Sequence, residues 1–446
     1  MKHFVAILLT TLALVGCVKP ATRGEDVTFV RPIESPGAAM QIVANDEAAV
    51  ARGTAGALEW SQLSADYLRV SKRTADDSYA QKAEQAARKS LAIRSKNNVI
   101  AELRLARSIL EQHRFADAIA VTEEAFRVDP GDVSAHELHA ELLTELGKYD
   151  AAWEEVAKYP MAGLGAMALK ARLSEIDGRT DAAAANLKTA CEQADKNWDM
   201  AGDANAWFHL KYGNLLWGTG KLDQAEHEFK RGIELNPQDF KCMAALARLY
   251  AAQGKFSDAQ KMALDSTKIA PTVETASLLE DLAARDNNRD DATKYATLVD
   301  KVSHPDLYRF LNDPSQGAPS TKPHTHDRLY ATYLADHARN LPDALAAAQK
   351  DMESRQDIYA FDTLAWVLHQ MGRDAEAEPL MAKAMVRGTR DAKMMFHAGM
   401  IQSALGHVTE AKAELEGALK LNPAFQYGQV DQAKAELAKL NAAPAH

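Results

Sequence analysis

A chain of 446 residues exceeds what one compact hydrophobic core organises, so it holds either several domains or a repeat array. Aromatic residues make up only 7% of it while alanine is abundant, which suits thin layers of helix on helix better than a thick sheet core. The formal net charge of −10, without a basic stripe, argues against a nucleic-acid scaffold and fits a self-repelling surface.

At the N-terminus, Lys2 and His3 precede an apolar run from Phe4 to Val15. The run is too short to cross a bilayer as a helix, and residues 1–16 read as a signal peptide. It ends in Leu14-Val15-Gly16-Cys17, which resembles the bacterial lipobox, where cleavage before the cysteine is coupled to lipid attachment on its sulfur. The resemblance implies lipidation at Cys17 and a lipid anchor in the cell envelope as the sole membrane attachment. In enterobacterial sorting an aspartate after the cysteine retains a lipoprotein at the inner membrane. Val18 stands there, so the expected site is the outer membrane, facing the periplasm. Residues 17–36, with Pro20, Pro32 and Pro36, read as a tether, and a leading helix follows over about 38–56.

Beyond it the chain keeps a beat. Ala225, Ala259 and Ala292 are 34 and 33 residues apart, and Ala344, Ala377 and Ala411 are 33 and 34 apart. Gly220 and Gly254, Gly372 and Gly406, and Pro237 and Pro271 repeat the step of 34. Such a period predicts an all-α, helix-turn-helix solenoid. The clearest unit is 206–239, where Tyr212, Gly213, Leu216, Gly220, Leu222, Ala225, Phe229 and Pro237 alternate large and small residues at fixed places. Small residues let the two helices of a unit approach, large ones fill the holes between units, and proline ends the second helix. These positions resemble the tetratricopeptide repeat. Residues 99–132, 133–160, 240–272, 358–391 and 392–425 match clearly; 64–97, 164–191, 273–302 and 325–357 match weakly, for about ten repeats in all. Two departures stand out. Glu280 replaces a small residue, and Arg339 falls where glycine is expected. The segments Phe361–Gly372 and Gly388–Ile401 also resemble the C-terminal part of a group of bacterial tetratricopeptide-repeat proteins.

Two interruptions break the array, at 192–205 and at the proline-rich 304–326. The second is read as a linker loop between an N-terminal array, 37–303, and a C-terminal array, 327–446, capped by a helix over Asp431–Leu440.

The resemblance implies binding of a protein or peptide partner on the concave face, at positions 2, 5, 9 and 12 of each first helix. Those positions give Trp207, Asn214, Trp217, Lys241 and Arg248, then Tyr359, Asp362, Trp366, His369 and Phe396. Aromatics and arginine are favoured anchors of binding hot spots. The chaperone-type carboxylate clamp is absent, since Leu210, Ala245 and Glu274 stand where its polar residues belong. The pair His136 and His139 is one residue short of a zinc-protease spacing and reads as packing. His304, His324, His326 and His337 offer a weak metal-binding alternative, and self-association through the solenoid ends is another. Cys191 and Cys242 read as small buried residues. No phosphate loop or nucleophile elbow appears, so neither an enzyme nor a cofactor is expected, and no nucleic-acid partner.

Overall fold

The computed structural model describes residues 35–305 and 327–442. The expected signal peptide, Cys17, almost all of the expected tether and the pair His324 and His326 lie outside the described residues. Among those described there are 22 helices and no strand. A single helix, α1 (Pro36–Ala51), leads into ten helical pairs. These are α2/α3 (Ala57–Thr74, Ser78–Ile93), α4/α5 (Val99–Leu110, Phe115–Val128) and α6/α7 (Val133–Glu145, Tyr149–Lys158). Next come α8/α9 (Leu164–Ile176, Thr180–Lys196), α10/α11 (Gly202–Gly218, Leu222–Leu235), α12/α13 (Phe240–Ala252, Phe256–Ile269) and α14/α15 (Val273–Arg285, Arg289–Ser303). The last are α16/α17 (Asp327–Asp336, Leu341–Ser354), α18/α19 (Ile358–Gln370, Asp374–Met385) and α20/α21 (Ala392–Ala404, Val408–Leu421), with α22 (Gln429–Ala442) as the cap. No described helix is long and apolar enough to cross a membrane.

Local chemistry explains the pairs. First helices start on side-chain caps: Asp132, Asp239 and Asp357 accept from the backbone N–H of Ala135, Cys242 and Ala360. Second helices stop where Pro130, Pro237, Pro271 and Pro423 follow. The turn inside a pair needs a left-handed residue, which Gly147, Gly178, Gly220, Gly254, Gly372 and Gly406 supply at φ between 70° and 80°. In α16/α17 that place is taken by Ala338 (φ 48°), one residue before the Arg339 expected from the repeat count. Ala225, Ala259, Ala344, Ala377 and Ala411 are fully buried where helices meet. A side chain at Gly213 would collide with the ring of Phe229.

The helices on either side of the second interruption share a core. Val273, Ala276 and Val299 share one core with Ala331, Tyr333 and Leu334, so stacking passes from α14/α15 directly to α16/α17. The superhelix then winds back onto its own edge. A second shared core joins Tyr149, Leu173 and Ile176 to Ile358, Ala365, Met394 and Ile401. Turns inside early pairs meet turns between late pairs in matching order: Gly147 faces Gln356, Gly178 faces Gly388, and Gly220 faces Leu421. Polar contacts pin the seam. The Ile358 N–H donates to Tyr149 Oη (3.0 Å), Thr389 Oγ1 donates to the Ile176 carbonyl, and Arg387 pairs with both Asp150 (2.8 Å) and Asp177 (2.6 Å).

Candidate functional site

Because the first turn of the superhelix is tight, the inner faces of α4, α6, α8, α10 and α12 enclose a lumen of about 630 Å³. One side is tied by an ion pair across the ring, Arg73 at the end of α2 to Asp203 at the start of α10 (2.8 Å). Apolar side chains of Leu169, Leu187 and Phe208 line part of it, and Trp207 stands among them at 38% exposure.

Most charges on the lumen wall are already committed. Lys72 pairs with Glu111 (3.1 Å), Arg107 with Glu141 (2.7 Å) and Arg172 with Glu175 (3.3 Å). Glu145 takes Arg355 from the second superhelical turn (3.4 Å), and Asp239 is spent as the cap of α12. Among the described residues, Glu137, Lys211 and Lys241 line the lumen with neither an ion pair nor a hydrogen bond. Lys211 touches lumen solvent yet has protein on every side, and its pKa falls through desolvation, with the positive charges of Arg172 and Lys241 adding to the effect. Desolvation raises the pKa of Glu137, and Glu141 adds to that against the opposing pull of Arg107. The Lys211 ammonium lies 5.3 Å from the Trp207 ring centroid, and Lys241 lies 5.6 Å from that of Phe240.

Of the residues expected on an open concave face, Trp207 and Lys241 line this lumen, and Asn214 is exposed outside its wall. Several others are a correction to that expectation. Trp217 is 7% exposed and donates its indole N–H to the Ala424 carbonyl (2.8 Å), while Asn422 Nδ2 donates to the Trp217 carbonyl (2.6 Å). Trp366 (2%) and Phe396 (0%) are core residues packed on each other and on Phe425. Asp362 is buried and bonded to His397 (2.8 Å), and His369 pairs with Asp374 (2.5 Å). Arg248 reaches Gln426 (3.4 Å) beside the Trp217 ring, and Tyr359 Oη accepts from Arg172 (3.0 Å) beneath its guanidinium. The causes differ: the segment between α21 and α22 covers Trp217, Arg248 and Phe396, the other turn meets Tyr359, neighbouring pairs enclose Trp366 and Asp362, and His369 is bonded within its own pair.

Among the described residues, the histidines do not converge. His337 bonds Asp281 (3.0 Å) and the Tyr333 carbonyl, and His304 Nδ1 meets the Asp300 carbonyl (3.2 Å). His136 bonds Glu155 (2.8 Å), and His139 bonds Thr122 (2.8 Å). Cys191 and Cys242 are free thiols in the core. Cys191, His209 and Glu228 do bring possible ligand atoms within 4.8 Å of one another. The His209–Glu228 bond, however, repeats the His136–Glu155 bond at the same place in an earlier pair that has no cysteine, which marks it as a packing device. Sequence reasoning missed Lys211, because it stands between the nominal groove positions.

Tetratricopeptide repeat profiles match residues 103–166, 216–282 and 392–425. Among solved structures, pilF of Pseudomonas aeruginosa is similar at 17% identity, over 49% of this chain and 97% of that one, with a TM-score of 0.38. Yeast Tom70 is similar at 16% identity over 90% and 93% of the chains, with a TM-score of 0.32. YrrB, described as a TPR protein with an unusual peptide-binding site, is similar at 16% identity over 42% and 93%, with a TM-score of 0.28. No curated protein matches the sequence.

Proposed function

The chain belongs to the tetratricopeptide repeat superfamily, and on that premise we propose that it is a lipid-anchored adaptor of the bacterial envelope that holds a partner polypeptide in its lumen. The carrying observation is the contrast between the two turns of the superhelix. The second turn spends its aromatic groove positions on packing, whereas the first keeps Trp207 half-exposed beside unpaired charge in an enclosed space. That volume lies within the range of pockets that engulf a ligand, here a short stretch of extended chain rather than a folded domain. The anchor reading is supported by the Leu14-Val15-Gly16-Cys17 motif, and the outer-membrane reading by Val18 after it; a role in envelope assembly or secretion is part of the same proposal.

The adaptor reading is tested by affinity capture from envelope extracts with Trp207→Ala and with Ala168→Trp, which fills the lumen. Both variants are expected to lose the captured partner while keeping a native helical spectrum. Undiminished recovery from both sinks the lumen as the binding surface. For the anchor, Cys17→Ala is expected to release the protein from membranes into the soluble periplasmic fraction; retention on the membrane refutes it.

A further inference from the structure

We propose that the partner segment held in the lumen is acidic with apolar flanks, its carboxylates received by Lys211 and Lys241 and its apolar side chains by Trp207 and the leucines beside it. The inference rests on the adaptor reading above and adds the chemistry of what is held. It follows from the charges left over on the lumen wall. Every other cation there has a carboxylate partner, and every other carboxylate has a cation or a backbone N–H. What remains is two ammonium groups and one carboxyl, Glu137, whose pKa desolvation raises. Arg172 and Lys241 repel the Lys211 ammonium, while Glu145 and Glu175, which draw it, are already paired with other arginines, so an incoming carboxylate meets a cation that no carboxylate bridges. Lys211 stands over the face of Trp207, so charge and apolar platform sit side by side, and a segment alternating acidic and apolar residues satisfies both.

The experiment is fluorescence anisotropy on the full chain. The probes are a labelled hexapeptide alternating glutamate and leucine, blocked at both ends, and its glutamine counterpart, with free glutarate as competitor. The glutamate peptide is expected to bind about tenfold more tightly than the glutamine peptide, and added salt to erode that preference. In Lys211→Met/Lys241→Met the two peptides are expected to bind alike. This double variant removes no ion pair, so its thermal midpoint stays at or above that of the wild type, which separates lost recognition from lost folding. Equal binding of the two peptides to wild type, or a preference that survives the double variant, overturns the proposal. Glutarate competing as well as the peptide also overturns it, since the site would then take a small anion. If partner capture depends on Trp207 while the peptides bind alike, the acidic assignment alone falls. If capture ignores both lumen variants, the adaptor reading falls with it.

Discussion

The two residues that depart from the repeat pattern are each other's partner. Glu280 occupies a place on α14 where other repeats carry alanine or glycine, and it is 2% exposed. One of its oxygens accepts from Tyr333 Oη at 2.7 Å, and the other takes Arg339 Nη1. Arg339 Nη1 also donates to Tyr333 Oη (3.2 Å), which closes a triangle between α14 and the turn of α16/α17. Burial, then the bond to Glu280, raises the pKa of Tyr333. Arg339→Ala strands the Glu280 carboxylate with one hydrogen bond. Breaking a fully buried pair costs roughly 3–5 kcal/mol, but the arginine is half-exposed and water screens it, so about 2 kcal/mol is expected. Glu280→Ala restores the small residue of the pattern and leaves the Tyr333 hydroxyl without its acceptor, for about 1 kcal/mol. On that background Arg339→Ala is expected to cost almost nothing. Urea denaturation of wild type, both single variants and the double variant measures the coupling directly. An Arg339→Ala cost that is the same with and without Glu280 refutes the pairing.

Gly220 and Gly254 share a left-handed φ (75° and 74°), but only Gly220 faces the second turn, at the Leu421 carbonyl. Alanine at either is expected to cost about 1–2 kcal/mol in backbone strain; at Gly220 the new Cβ also prises the seam apart, so proteolysis should cut after α21 only in that variant. Trp217→Phe leaves the buried Ala424 carbonyl without its donor and is expected to cost about 1–2 kcal/mol by denaturation; a change within error sinks the seam bond as a stabiliser. Burial alone would lower the pKa of His337, but the hydrogen bond to Asp281, the charge of that carboxylate, the Tyr333 carbonyl and Glu280 together outweigh it and raise the pKa. A raised folded value means the stabilisation is complete below the unfolded value of about 6.5 and is lost as pH climbs through the folded one. Wild type should therefore lose more stability than His337→Gln as pH rises from about 6.5 through the folded value; parallel pH profiles in denaturation melts refute it.

The helical pairs were legible because each is specified within its own 34-residue unit, by small residues at Ala225 or Ala411 and by turn glycines such as Gly220. The exposure of the groove was not. Which concave residues stay open depends on the pitch of the superhelix, a sum of small rotations that no single unit records. Trp217 and Trp366 sit at groove positions by local count, and the chain that covers Trp217 lies at Ala424. Lys211 escaped notice for a related reason: the tight curvature of the first turn brings a residue between the nominal positions into the lumen. The Glu280–Arg339 pair left a visible trace, two departures from one pattern, but nothing local ties residues 59 apart.

The seam also changes how such a chain reaches its native state. An ordinary solenoid grows by neighbour contacts and tolerates truncation at either end, because each unit leans only on the next. Here the bonds that pin the turns join residues 205 to 237 positions apart. Loop closure over that span must come before its reward, so the final step is slow and non-local. During synthesis the turns at Gly147, Gly178 and Gly220 wait unpaired until the last repeats exist. A prematurely ended chain therefore carries a finished lumen inside an unlatched ring, a state that proteases can recognise.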